Sequence, residues 1–200
     1  MIKNNITAKI FCLVSLIVSS TTFAKQYEAS ASFGKSYGSN LVSAINSDTD
    51  LSSGGANNFS IGLAWQESPN GQGQILISSV SHSFNSDLTN QKHDLDILYA
   101  HFNGIAQFKQ PNYITTVAIG LGGAQFDSVG GSELYPSATL AIGTRYEFSP
   151  QISLITELRG YGSLVDKKDN IFCRADVCTA QFDNSLYFDT SISVGFAIKF

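Results

Sequence analysis

The run Val80-Ser81-His82-Ser83 sets two hydroxyls beside an imidazole, the pair of groups from which a hydrolase builds an activated nucleophile. On an extended strand, adjacent side chains point to opposite faces, so Ser81 and Ser83 turn away from His82 and the run makes no dyad by itself. The other histidines, His93 and His101, stand apart from it with no motif joining them to a carboxylate or thiol. Cys173 and Cys178 are two thiols with no histidine nearby, short of the four ligands that structural zinc usually takes. Gly54-Gly55 and Gly130-Gly131 lack the strand-loop-helix setting of a phosphate cradle and are expected at loop tips. The expectation is no catalytic residue, no metal and no cofactor. The charges that stand out are Arg145, Glu147, Glu157 and Arg159, placed singly within apolar, alternating stretches.

What positions them is a series of eight segments with period-two alternation. They cover about 26–35, 58–66, 74–84, 94–108, 113–125, 137–148, 152–164 and 185 to the end. In the second, Phe59, Ile61, Leu63 and Trp65 oppose Ser60, Gly62, Ala64 and Gln66; in the sixth, Ala138, Leu140, Ile142 and Tyr146 oppose Ser137, Thr139, Gly143 and Arg145. The third and fourth are less clean, because Ile75, Leu76 and Ile77 are consecutive and only an outward Phe108 sets the face of the fourth. Charged residues are few, 14% of the chain, while glycine, serine and aromatic residues are plentiful, a composition that fits many short strands joined by turns.

The N-terminus gives an address. Lys3 and Lys9 precede an apolar run from Ile10 to Val18, and Thr22-Phe23-Ala24 follows, the layout of a cleaved secretory signal over residues 1–24. The apolar run is far short of the roughly 20 residues of a spanning helix. With 16 acidic side chains against 12 basic, the chain is acidic already, and more so once Lys3 and Lys9 are removed, which argues against a nucleic-acid partner. Residues 25–200 are expected to form one domain.

Connections and aromatics indicate where that domain resides. Long polar stretches (36–57, 85–93, 127–136 and 165–184) alternate with short ones at 67–73, 109–112 and 149–151, as in a barrel inserted from one side. Tyr27, Trp65, Phe108, Tyr113, Tyr146, Phe148 and Phe200 fall at one end of their strands. Phe33, Phe59, Phe84, Phe126, Tyr135 and Tyr187 or Phe188 fall near the other. Two aromatic girdles around an aliphatic band are expected at membrane interfaces. The fold class is therefore all-β, an eight-stranded antiparallel up-and-down transmembrane barrel, with localisation in the cell outer membrane after export through the periplasm. An eight-stranded interior is filled by side chains, and the inward candidates Glu28, His101, Arg145, Glu147, Glu157, Arg159, Asp189 and Lys199 mix both signs, so buried charges there must pair. Arg145 and Glu157 are diagonal neighbours across the hairpin at Pro150, so Arg145, Glu147, Glu157 and Arg159 are expected to form a lumenal ion-pair network. In an exported protein, Cys173 and Cys178 are expected to form a disulfide in the last outer loop.

The signal segment, the eight alternating segments and the terminal Phe200 resemble the small eight-stranded outer-membrane barrels of Gram-negative bacteria, the OmpA-transmembrane and OmpX/Ail-like superfamily. Leu158-Arg159-Gly160-Tyr161-Gly162-Ser163-Leu164, the Cys173 to Cys178 loop and the last strand resemble an uncharacterised proteobacterial subgroup within it. The resemblance implies that Phe200, with Ile198 and Phe196, is an assembly signal read by the barrel-assembly machinery. The implied partners are outer-membrane lipids including lipopolysaccharide, and an extracellular ligand met through loops 36–57 and 165–184. The expected role is structural or surface-interacting, in adhesion or envelope integrity, without an open pore and not as an enzyme. Alternatives are a lipid A deacylase or acyltransferase-like enzyme and a small-solute transporter.

Overall fold

Small polar residues alternating with large apolar ones become eight long strands, because only pairing with neighbours satisfies the backbone of a segment that presents one face to hydrocarbon. They are β1 (Tyr27–Gly38), β2 (Ala56–Ser68), β3 (Gly71–Asn85), β4 (Lys92–Lys109), β5 (Ile114–Ser128), β6 (Gly131–Glu147), β7 (Ile152–Leu164) and β8 (Leu186–Lys199). The computed structural model describes residues 26–39, 41–43, 50–51, 55–85, 92–166, 172–174, 177–178, 180–182 and 184–200. The signal segment expected over 1–24 lies outside them.

Each strand pairs antiparallel with the next, and β8 pairs with β1 to close the barrel. In that seam Ala29 lies opposite Ile198 and Ala31 opposite Phe196. The Tyr27 amide donates to the Phe200 carbonyl at 3.0 Å, and the Phe200 amide to the Tyr27 carbonyl at 2.9 Å. The seam is tight enough to demand glycine: a Cβ on Gly34 would sit 2.0 Å from the Ile192 carbonyl oxygen, and one on Gly195 2.1 Å from that of Ala31. A side chain at either would wedge β1 from β8.

The outer wall is apolar. Ile61, Leu63, Ile75, Ile77, Ile119, Leu140, Ile142 and Ile192 all stand exposed on it, an arrangement stable in lipid and untenable in water. Tyr27, Phe108, Tyr113, Tyr146, Phe148 and Phe200 ring the end that carries the short turns, with their rings outward. The opposite girdle is sparser than the sequence indicates. Phe33, Phe59 and Phe188 face out, joined by Tyr37, but Phe84, Phe126, Tyr135 and Tyr187 point inward and are buried. Position along a strand sets the height of a ring, whereas its parity sets the face, and these four have inward parity.

The 127–136 stretch, expected as a long loop, is a tight hairpin instead. β5 continues to Ser128 and β6 starts at Gly131, so only Val129 and Gly130 make the turn. Gly131 has φ of 151°, a conformation that a side chain would strain. Pro136 sits within β6 opposite Gly123. Parts of the 36–57 and 165–184 loops pair with each other: Leu41–Ser43 is flanked by Asp50–Leu51 on one side and Ala180–Phe182 on the other.

Candidate functional site

The lumen divides into two halves of different chemistry. In the outer half the strands turn apolar residues inward, among them Val80, Phe84, Leu95, Ile97, Phe126, Tyr135 and Tyr187, all at most 6% exposed. Phe126 meets Tyr135 and Tyr187 edge to face, with centroids 5.2 and 5.3 Å apart, in the arrangement aromatic quadrupoles favour. Leu41, Phe172 and Phe182 from the paired outer loops are buried on the same cluster, with Phe182 5.9 Å from Phe126 and Phe172 5.4 Å from Phe182. The result is an aromatic plug continuous with a loop lid.

Beneath the plug, Asp189 on β8 gathers donors from three other strands. His82 Nε2 lies 3.1 Å from Asp189 Oδ2, Tyr99 donates its hydroxyl to the same oxygen at 3.2 Å, and Ser36 donates to Oδ1. Each of the four residues is at most 1% exposed. The carboxylate accepts from all three, and the Ser36 hydroxyl points at the acid and, at 3.3 Å, the Thr190 carbonyl rather than at the imidazole, so the group is wired as a polar knot. Tyr99 also stacks on Tyr161, centroids 4.0 Å apart, and His101 packs beside both rings. Ser81 and Ser83 lie on the outward face of β3, away from His82, as alternation requires.

The periplasmic half is polar. Arg145 on β6 reaches across the lumen to Glu28 on β1, with side chains 7% and 2% exposed. Arg159 Nε donates to Glu157 at 2.7 Å, and its Nη1 donates to Thr139 Oγ1 at 3.2 Å. Lys199 pairs with Glu147 at the periplasmic rim, where Glu147 is 42% exposed. The four residues expected to form one network thus divide among three ion pairs. Arg145 takes Glu28 in place of Glu157, because a partner across a narrow lumen is as near as a diagonal neighbour on the sheet. Between the pairs, Asn103 donates to Gln74 at 2.9 Å, and Ser60 and Ser78 hydroxyls lie 2.8 Å apart. A cavity of about 30 Å³ is lined by Arg145, Arg159, Glu157, Ser30 and Gln74. That is space for a water or two, far below a channel.

Glu28 and Asp189 are inward charged candidates in the sequence without a partner assigned to them, and Tyr99 and Ser36 carry no motif at all. Tyr99 has only inward parity, shared with many others, and Ser36 lies just past the first expected strand. Phe196, Ile198 and Phe200 are all on the lipid-facing side, at least 53% exposed. Cys173 and Cys178 stand directly opposite each other on a two-stranded ladder, the backbone register at which a bridge fits. Protein purified from the outer membrane without reductant is expected to resist thiol alkylation at both positions until it is reduced; two labelled cysteines before reduction would refute the bridge.

No family model matches the chain, and no curated protein matches it. Solved structures do. Neisserial surface protein A shares 12% identity at a TM-score of 0.57, covering 87% of this chain and 97% of that one. OprG from Pseudomonas aeruginosa shares 9% at 0.59, covering 88% and 96%. The attachment invasion locus protein Ail of Yersinia pestis shares 10% at 0.51, covering 88% and 99%. At such identities the likeness is one of fold. Together with the closed barrel, its apolar outer wall and its aromatic ends, the chain has the architecture of the small eight-stranded outer-membrane barrels, and its place is the outer membrane.

Proposed function

We propose that the protein is a non-conducting outer-membrane barrel that acts through its external surface, in envelope integrity or adhesion, and not by catalysis or transport. The observation that carries this reading is the aromatic plug, because Phe84, Phe126 and Tyr187 fill the outer half of the lumen where a solute path would run. The paired outer loops add to the seal, with Leu41, Phe172 and Phe182 buried over the plug. Ail was crystallised with the heparin analogue sucrose octasulfate, a polyanion. In this chain Asp94, Asp96 and Glu133 stand exposed at the outer ends of β4 and β6, with Asp127 directly opposite Asp96. That acidic rim favours a neutral sugar or a cationic partner over a polyanion.

In planar bilayers the purified barrel is expected to give no stable unitary conductance, and a deletion strain is expected to lose envelope integrity or surface adhesion. Reproducible conductance steps would overturn the plugged reading. A deletion strain indistinguishable from its parent in both phenotypes would overturn the surface role.

A further inference from the structure

The three periplasmic turns use their polar side chains differently. At the β2–β3 turn, Gln66 Nε2 donates to the Ser68 carbonyl, and Gln66 Oε1 accepts from Gln72 at 3.2 Å. At the β6–β7 turn, the Ser149 hydroxyl accepts from the backbone amides of Gln151 and Ile152, at 3.3 and 3.0 Å. Those side chains hold their own turns. The β4–β5 turn needs no such help: the Gln110 backbone amide donates to the Tyr113 carbonyl at 2.9 Å, and Pro111 fixes its own φ. Gln110 and Asn112 are exposed, and among the described residues neither side-chain amide has a hydrogen-bond partner.

Both amides line a depression of about 250 Å³ where this turn meets the end of β6, with Tyr113, Tyr146 and Glu147 around them. Its chemistry is selective. No lysine or arginine lines it, which leaves an anion without a counter-charge there. Glu147 is already paired with Lys199, so a cation finds that charge largely compensated. What remains is a neutral polar ligand. A side-chain amide presents a donor beside an acceptor, and so pairs with another amide or with neighbouring hydroxyls. Tyr113 and Tyr146, 47% and 52% exposed, each offer an apolar ring face with a hydroxyl at its edge. The volume is below the roughly 300–1,000 Å³ of drug-sized sites, room for one ring rather than for a long chain.

We infer that this depression binds an N-acetylated sugar ring of the cell-wall glycan, the amides taking its acetamido group and hydroxyls and the tyrosines its apolar face. The short turns face the periplasm, and there the wall is the polymer that carries such rings in series. A single ring is held weakly, but a polymer presents many rings to many barrels in one membrane, so binding grows by avidity. Pro111 keeps the turn in one shape, which lowers the ordering cost of binding. The tether is separate from the outer surface, so it stands or falls independently of what the outer loops meet.

The test is co-sedimentation of the folded barrel, in detergent, with insoluble cell-wall sacculi stripped of bound protein. Wild type is compared with Gln110→Ala/Asn112→Ala and with Gln151→Ala, an exposed residue of the neighbouring turn outside the depression. Heat modifiability on a gel checks folding of each. Wild type and Gln151→Ala are expected to sediment with the wall and to be released by a soluble oligomer of N-acetylglucosamine. In the double variant the retained fraction should fall on the order of tenfold, the loss expected from two hydrogen bonds. Equal retention of all three, a wild type that stays in solution, or release by glycerophosphoethanolamine and not by the sugar would each overturn the assignment, the last by pointing to a lipid headgroup. Should the double variant fail to fold, saturation-transfer NMR on wild type takes its place. Irradiating the barrel's aromatic protons must then transfer saturation to the ring and acetyl protons of the oligomer, and no transfer overturns the site.

Discussion

Glu28→Ala is expected to be among the most damaging single substitutions in the barrel, lowering its unfolding free energy by about 3–5 kcal/mol. The Arg145 guanidinium is 7% exposed and its ion-pair partner is Glu28, so removing the carboxylate leaves a charge in the lumen without its counter-ion. The cost is that of the abandoned charge more than of the lost bond. For that reason Glu28→Leu/Arg145→Met is expected to recover most of the loss, because an apolar pair of similar size abandons nothing. Glu157→Gln provides the contrast. Arg159 is itself 3% exposed, but Glu157 is 29% exposed, the substituted amide oxygen can still accept from Arg159, and Thr139 remains a partner, so its cost should be smaller, about 1–2 kcal/mol. Urea unfolding in lipid vesicles, or the temperature at which the compact gel form is lost, reads all three. A double variant no more stable than Glu28→Ala, or a Glu157→Gln loss as large, would refute this division of the lumenal charge.

Alternation alone exposes the eight strands, their faces and the seam that Phe200 closes, because a side-chain period of two is a local property and hydrocarbon outside the barrel enforces it strictly. The periplasmic girdle is legible for the same reason: Phe108, Tyr113 and Tyr146 have both the right height and outward parity. At the other end height misleads. Phe84, Phe126 and Tyr135 lie high on their strands but on the inward face, and a narrow lumen is filled as readily by rings as by ion pairs. The polar partners are hidden for a different reason. Reading a hairpin reveals only neighbours on adjacent strands, which is how Arg145 and Glu157 come together on paper. Arg145 and Glu28 are on β6 and β1, and His82 and Asp189 on β3 and β8, pairs that meet across the lumen only once the whole barrel has closed.

Closure also makes Asp189 the point on which the outer lumen depends. Asp189→Ala removes one acceptor shared by His82, Tyr99 and Ser36, on three different strands. Each buried donor that loses an acceptor costs about 1–3 kcal/mol, so the substitution should rival Glu28→Ala. Asp189→Asn should fall between wild type and alanine, since its amide oxygen can still accept while its NH2 group meets donors. The discriminating measurement is a cycle with Ser36→Ala. In wild type, Ser36→Ala removes a bond to a carboxylate and destabilises. In Asp189→Ala the hydroxyl keeps only the Thr190 carbonyl, at 3.3 Å, so the same change should cost less, a coupling of about 0.5–3 kcal/mol. Additive losses would mean that Ser36 acts on the barrel without Asp189. A coupled result would identify the knot under the plug as one cooperative unit, joining β1, β3 and β4 to β8 where the apolar outer lumen meets the polar half below.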